Sequence, residues 1–113
     1  MRETTLVREH VRRFNEGVRS GDFEPMLQQF AEDAVVSFSG IPVGPFVGKP
    51  AIAAAYRRQP PDDEIDVRSI GVEGGEIVVP FRWCRTPSMG GTMRFQERKG
   101  QIASLLIEYG AIE

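Results

Sequence analysis

Cysteine and histidine are nearly missing from this sequence, which contains only Cys84 and His10. One cysteine excludes an internal disulfide, and a single histidine without a second cysteine excludes the usual zinc-ligand clusters. We therefore expect no metal, no cofactor and a reducing, cytoplasmic location. Cys84 lies on a predicted strand with no histidine or helix N-terminus beside it, so we interpret it as a buried or interface thiol without chemistry.

Strong charge of one sign and long apolar runs are also missing. The 14 basic and 16 acidic residues give a formal net charge of −2, and no basic run is interleaved with aromatic residues, which argues against a nucleic-acid partner. The N-terminal stretch is amphipathic, so neither a signal peptide nor a membrane span is expected. With 113 residues the chain has the size of one domain, and we expect residues 1–113 to fold as one unit.

Hydrophobic periodicity predicts two helices near the start of the chain. Apolar residues recur at steps of four, three and four within residues 5–19, which is one face of an α-helix. Ser20-Gly21 ends this helix, and Asp22 can cap a second one by accepting backbone N–H bonds. The residues that share a face of the second helix are Phe23, Leu27 and Phe30.

The remaining sequence predicts strands and one further helix. A β-branched strand over Ala34–Phe38 is followed by a loop rich in glycine and proline, residues 39–48, and by a short helix from Pro50 to Arg58. The later strands are separated by glycine-containing turns at 74–75, 90–91 and 99–100, which favour antiparallel pairing. These strands are 65–70, 76–85, 92–98 and 102–109. The prediction is an α+β fold in which helices cover one face of a curved sheet.

Four segments, in this order, resemble a known family. Arg13–Phe23 and Gln29–Val36 resemble the opening of ketosteroid isomerases and SnoaL-like proteins, and Gly48–Ile52 with Tyr56 and Gly100–Leu105 are similar to later parts of that family. The resemblance implies the nuclear-transport-factor-2-like (NTF2-like, or cystatin-like) cone, with three N-terminal helices on a strongly curved, mainly antiparallel sheet. It also implies a hydrophobic small-molecule ligand and a homodimer formed through the outer face of the sheet.

The groups that the isomerases of this family use for proton transfer are missing. Their mechanism needs a carboxylate base, a tyrosine donor and a protonated aspartate donor. By position after the Gly-Asp turn, the donor tyrosine falls on Phe14 and the base on Phe38, and Gly90–Met93 offers no carboxyl where the second donor is expected. Steroid isomerisation by that route is therefore not expected.

Strand alternation assigns the other candidates for the inside of the cone. Neighbouring side chains of a strand point to opposite faces, and we expect the aromatic and aliphatic set to face inward. The predicted ligand-binding residues are Phe14, Phe38, Phe81, Trp83, Met93, Phe95 and Ile107. These side chains can line an open cavity or fill it, and the sequence favours neither.

Three residues are candidates for polar or catalytic groups inside the cone. Tyr56 and Tyr109 each combine an apolar ring with one hydroxyl that could orient a ligand, although a hydroxyl bonded to backbone or water at the rim is an equal alternative. His10 shares a helix face with Phe14 and could act as a base, but a partly exposed structural histidine is the simpler interpretation.

Charged residues are predicted to lie away from the cone's interior. Asp33 is expected to bond the backbone of a turn, and residues 62–64 to be solvated. The outer face of the strands is expected to hold Asp66, Arg82, Arg94 and Glu108. Cross-strand Arg–Asp pairs resemble those of epoxide hydrolases of this fold, and a misread register would instead bring Asp66 or Glu108 inside as a carboxylate base.

Two functions are consistent with this pattern. The first is a SnoaL-like or ketosteroid-isomerase-like enzyme that binds a polyketide, steroid or terpenoid-like compound. It would catalyse isomerisation, cyclisation or epoxide opening mainly by holding the substrate in a reactive conformation. The second is a non-catalytic ligand-binding or dimerisation module of the same fold. An open cavity would favour the first function, and an interior filled by side chains the second.

Overall fold

The described part of the chain, residues 2–111 of a computed structural model, forms three helices and a seven-stranded sheet. The helices are α1 (Arg2–Ser20), α2 (Glu24–Leu27) and α3 (Lys49–Arg58). The strands are β1 (Phe30–Ser39), β2 (Phe46–Val47), β3 (Ile65–Val67), β4 (Gly71–Glu73), β5 (Glu76–Trp83), β6 (Met89–Arg98) and β7 (Gln101–Ala111). The prediction of an α+β fold, with three helices on a curved and mainly antiparallel sheet, is confirmed.

The sheet has the order β2-β1-β7-β6-β5-β3, and β4 also pairs with β5. Strands β5, β6 and β7 follow one another antiparallel through short connections, as glycine-containing turns favour. By contrast, β1 and β7 are parallel, which their long separation in sequence permits. This pairing sets Val36 beside Leu105 and Phe38 beside Ile107, and it joins the first long strand to the last.

The second helix is shorter than the sequence predicts, and the first strand is longer. Asp22 does accept the N–H of Glu24 at 3.0 Å, but α2 is a single turn and Phe30 begins β1 instead of lying on a helix face. The chain changes from helix to strand at this point because the Ile102 N–H of β7 donates to the Gln29 carbonyl at 2.8 Å. Tertiary pairing therefore overrides the local helical spacing.

Asp33 lies inside this longer strand, so its predicted role in a turn is wrong. Its carboxylate forms an ion pair with Arg98 of β6. That hydrogen bond lowers the pKa of Asp33. Both side chains are largely exposed, so the pair contributes little to stability.

Three further boundaries differ from the prediction because of how the strands pair. The strand expected over residues 65–70 divides into β3 and β4, which pair with different stretches of β5. Gly90 and Gly91, expected in a turn, lie inside β6. A Cβ on Gly91 would sit 1.7 Å from the Glu108 carbonyl oxygen, so glycine is needed here for close backbone approach. Part of the predicted loop, Phe46–Val47, pairs with β1 as strand β2.

The Asn15 side chain joins helix α1 to β3, the last strand in the sheet order. The Asn15 amide donates to the Ile65 carbonyl at 3.0 Å and accepts the Ile65 N–H at 2.8 Å, so α1 and β3 are joined by two bonds. The inward apolar face of α1 and alternate residues of β5, β6 and β7 form the core. None of the three described helices is long and apolar enough to cross a membrane.

Candidate functional site

The helices and the curved sheet leave a cleft of about 530 Å³ between them. Six of the seven predicted ligand-binding residues line this cavity: Phe14, Phe38, Phe81, Trp83, Met93 and Ile107. The three predicted polar residues, His10, Tyr56 and Tyr109, line it as well. Phe95 does not, because it lies one inward position further along β6 than Met93 and is fully buried against His10. The interior is thus open, with mainly aromatic and aliphatic walls.

Four aromatic side chains, Phe38, Phe81, Trp83 and Tyr109, form one wall of the cavity, here called the aromatic wall. The Tyr109 ring is stacked between Phe38 and Trp83, with both centroid distances 6.1 Å and interplanar angles of 9° and 16°. Phe81 meets Trp83 edge-on at 5.4 Å. Offset-stacked and edge-to-face contacts are favourable for aromatic pairs, so these rings support one another's orientation.

Tyr56 and Tyr109 bring two neutral hydroxyl donors to the lining of the cavity. Burial raises the pKa of Tyr56 far above its usual range, with a smaller contribution from Tyr109, and burial also raises the pKa of Tyr109. Both phenols are therefore protonated at neutral pH. Neither hydroxyl has a hydrogen-bond partner within the described residues, so each is available to a bound molecule.

His10 is more buried than the sequence predicts. The expectation of a partly exposed histidine is wrong, because the side chain is 1% exposed and its ring meets Phe30 and Phe95 edge-on at 5.9 and 5.4 Å. Burial lowers its pKa to about 4, although the nearby Gln29 side chain opposes the shift. The imidazole is therefore neutral at pH 7, and its Nδ1 has no hydrogen-bond partner.

Carboxylates reach the cavity only at its mouth, as far as the described residues go. Asp62 and Asp63 belong to the lining. The expected solvation holds for Asp62, with a side chain 95% exposed, but is wrong for Asp63, which is 13% exposed. Asp63 accepts the N–H groups of Glu64 and Arg85 at 2.8 and 3.1 Å, so it has a structural role.

The charged residues of the strands lie outside the cavity, on the outer face of the sheet. Arg82 pairs with Asp66 at 3.1 Å and Arg94 with Glu108 at 2.7 Å, and none of the four lines the cavity. The predicted register is thus correct here, and neither Asp66 nor Glu108 supplies an interior base. With Phe14 and Phe38 in the lining, the positions expected for the isomerase donor and base hold no proton-transfer group.

Sequence reasoning missed the contribution of the segment after β1. Ile41, Val43 and Phe46 come from the predicted loop, and together with Met89 they line the mouth of the cavity. Phe46 meets Phe38 edge-on at 6.2 Å. The sequence did contain a signal, because large apolar residues recur within this stretch of glycine and proline. A loop that faces only solvent rarely needs such residues.

Cys84 has no part in the cavity and is exposed in the single chain, so the alternative of a buried thiol is wrong, while that of an interface thiol stays a prediction. Desolvation and three neighbouring carboxylates raise the pKa of the thiol, which makes it a poor nucleophile at neutral pH. Within residues 2–111, no cluster of three or more histidine, cysteine or acidic side chains is arranged to hold a metal ion.

Comparison with known proteins identifies relatives of both sequence and fold. Residues 11–105 match the family model of the SnoaL-like domain. An NTF2-like protein of unknown function from Burkholderia xenovorans LB400 is 15% identical, with a TM-score of 0.73 over 100% of this chain and 89% of that one. No curated protein matches the sequence.

Two further solved structures carry provisional activity names. A protein provisionally named an isomerase, from Bacillus subtilis, has a TM-score of 0.72 at 17% identity and covers 97% of this chain and 90% of its own. Another, provisionally named a SnoaL-like polyketide cyclase, from Jannaschia sp. CCS1, has a TM-score of 0.68 at 20% identity and covers 96% and 85%. At these identities the structural similarity establishes the shared fold.

Proposed function

The chain belongs to the family of SnoaL-like domains, and we propose that it binds a hydrophobic polyketide, steroid or terpenoid-like molecule in the cavity and promotes its isomerisation or cyclisation. The observation that supports this proposal is the open, aromatic cavity with two unpartnered tyrosine hydroxyls. Its volume of about 530 Å³ lies within the range of small-molecule sites. Epoxide opening by an Arg–Asp pair has no support in the cavity, because those residues lie on the outer face of the sheet.

The chemistry proposed for this cavity depends on orientation and hydrogen bonding. The aromatic wall and Phe14 would hold a flexible substrate in a compact conformation, which brings its reacting atoms together without a bimolecular encounter. A hydroxyl of Tyr56 or Tyr109 would donate to a substrate oxygen as that oxygen gains negative charge. Such a donor is most effective where water is excluded, as in this largely apolar site.

Ligand binding and the roles of the tyrosines can be tested together. Trp83 is the only tryptophan and lies in the lining, so its fluorescence reports occupation of the cavity. A panel of polyketide, steroid and terpenoid compounds should include ligands that change this signal. Tyr56→Phe and Tyr109→Phe should weaken oxygen-bearing ligands, whereas Cys84→Ser, outside the cavity, should not. Unchanged affinity and turnover in both phenylalanine variants would remove the tyrosines from the site.

A second candidate function is a ligand-binding module without catalysis. It is favoured by Phe14 and Phe38, which occupy the positions expected for the isomerase donor and base, and by the absence of an interior carboxylate among the described residues. The two functions differ in the fate of the ligand. A bound compound recovered chemically unchanged after prolonged incubation supports the module, and a cyclised or isomerised product supports the enzyme.

A homodimer formed through the outer face of the sheet is also proposed. One cross-strand row on this face consists of Val78, Arg94 and Leu106, and the ion pair to Glu108 lies beside it. Such a mixture of apolar contacts and satisfied charges is suited to a symmetric interface. Sedimentation equilibrium should give twice the monomer mass, and Leu106→Arg should give the monomer. A monomeric wild-type protein would contradict this proposal without affecting the cavity.

A further inference from the structure

Two polar atoms are buried without a hydrogen-bond partner among the described residues, one on His10 in the cavity lining and one on Gln29, whose side chain interacts with that imidazole. They are Nδ1 of His10 and Oε1 of Gln29. A buried polar atom without a partner is costly, so the pair calls for an explanation beyond packing. His10 lines the cavity and is surrounded by the rings of Phe30 and Phe95, which offer its nitrogens no acceptor or donor.

The orientation of the Gln29 amide indicates which imidazole nitrogen of His10 carries the proton. Its Nε2 donates to the Leu6 carbonyl of α1 at 3.4 Å, so the amide oxygen is the end left free for His10. An amide oxygen can only accept a hydrogen bond. The Gln29 side chain also opposes the fall in the pKa of His10, as an acceptor beside an imidazole N–H does. No hydrogen bond joins Nδ1 to Oε1 in this structure, but Oε1 is the group that Gln29 offers to the imidazole, so the proton of the neutral imidazole is assigned to Nδ1, which has no other acceptor among the described residues.

A neutral imidazole with its proton on Nδ1 has a lone pair on Nε2 and can only accept there. A carbonyl group cannot satisfy that nitrogen, whereas a hydroxyl can. This inference rests on the proposed ligand-binding function. We propose that the ligand carries a hydroxyl group at the end that lies beside His10, and that this hydroxyl donates to Nε2 of His10. Gln29 is then a positioning residue that holds the tautomer.

This arrangement divides the cavity into two kinds of polar contact. His10 accepts a hydrogen bond, while Tyr56 and Tyr109 donate one from their protonated hydroxyls. The ligand class that uses both is a polycyclic alcohol or phenol that also carries a carbonyl group. The inference therefore narrows the proposed polyketide, steroid or terpenoid-like ligand to its hydroxylated members.

Three rigid probes of nearly equal shape test the preference: fluorene, 9-fluorenone and 9-hydroxyfluorene. Dissociation constants are measured by Trp83 fluorescence for the wild-type protein, for His10→Leu, and for Phe14→Leu as a matched change in the apolar lining. One neutral hydrogen bond makes 9-hydroxyfluorene bind about three to ten times more tightly than fluorene. His10→Leu should abolish this ratio, and Phe14→Leu should preserve it while weakening all three probes.

The tautomer can be read without any substitution. His10 is the only histidine, so a protein labelled with ¹⁵N-histidine gives one pair of imidazole nitrogen signals. We expect the proton on Nδ1 in the free protein and a shift of the Nε2 signal when 9-hydroxyfluorene binds. Gln29→Leu should mix the two tautomers.

The outcomes of these experiments are distinguishable. A proton found on Nε2, or a preference for the hydroxylated probe that survives in His10→Leu, would overturn this inference and leave the proposed function standing. Equal affinity of the wild-type protein for all three probes would do the same. If none of the probes binds and the wider panel is also inactive, the proposed function itself is refuted and this inference falls with it.

Discussion

The burial of His10 predicts that stability depends on pH in a range where few other groups titrate. The ordinary pKa of the imidazole is 6.5, and in the folded protein it is lowered to about 4. Because the folded state resists protonation, the unfolded state takes up the proton first as the pH falls. Stability is therefore complete above the unfolded pKa and is lost progressively between pH 6.5 and pH 4.

The size of the effect follows from the two pKa values. Relative to pH 7.5, the free energy of unfolding should fall by about 1.4 kcal/mol at pH 5.5 and by about 2.5 kcal/mol at pH 4.5. No other histidine contributes, since His10 is the only one. Glu9, whose bonds to Arg12 and Arg13 lower its pKa to about 2, contributes mainly below pH 4.5, so the range from pH 5.5 to 7.5 isolates the imidazole.

Urea unfolding followed by far-ultraviolet circular dichroism at pH 7.5, 6.5, 5.5 and 4.5 measures this dependence. The comparison protein is His10→Leu, which keeps every other titrating group and fills the site with an apolar side chain of similar size. It should show no loss between pH 7.5 and pH 5.5. If both proteins lose the same stability over that range, the imidazole is not buried in its neutral form and the reasoning about the site is refuted.

Three other predictions concern single side chains. Asn15→Ala should destabilise the fold by about 1–3 kcal/mol in urea unfolding, because it leaves the N–H and carbonyl of Ile65 without partners; a change below about 0.5 kcal/mol would contradict this. Gly91→Ala should unfold the protein or shift β6, since its Cβ would lie 1.7 Å from a backbone oxygen, whereas Gly110→Ala, with open space, should retain the native circular dichroism spectrum. Tyr56→Phe should weaken binding of 9-fluorenone, whose carbonyl can only accept a hydrogen bond, by about three- to tenfold and leave fluorene unaffected in the fluorescence titration.

Periodicity predicted the parts of this molecule in which local pattern and tertiary structure agree. The amphipathic face of α1 placed Phe14 inward, and strict alternation along β5 and β6 placed Phe81 and Met93 inward and Arg82 outward. Each of these assignments depends only on neighbours within one element, which the sequence displays directly.

The errors arose where a distant partner decides the outcome. Phe30 fits a helical spacing, but pairing at Gln29 with β7 starts the strand there. His10 looked partly exposed because the aromatic rings that bury it, Phe30 and Phe95, come from two different strands. The loop residue Ile41 reaches the cavity only after the chain folds back past Phe38, which no local pattern indicates.

The parallel contact between β1 and β7 has a consequence for how the chain acquires its structure during synthesis. In the order β2-β1-β7-β6-β5-β3, the strand made last among those described occupies the middle of the sheet. Until β7 has left the ribosome, the first strand can pair only with the two-residue strand β2. Contacts between residues so distant in sequence form slowly. The sheet should therefore be completed only after β7 has been made, and ribosome-bound chains that end before residue 101 should remain open to proteases.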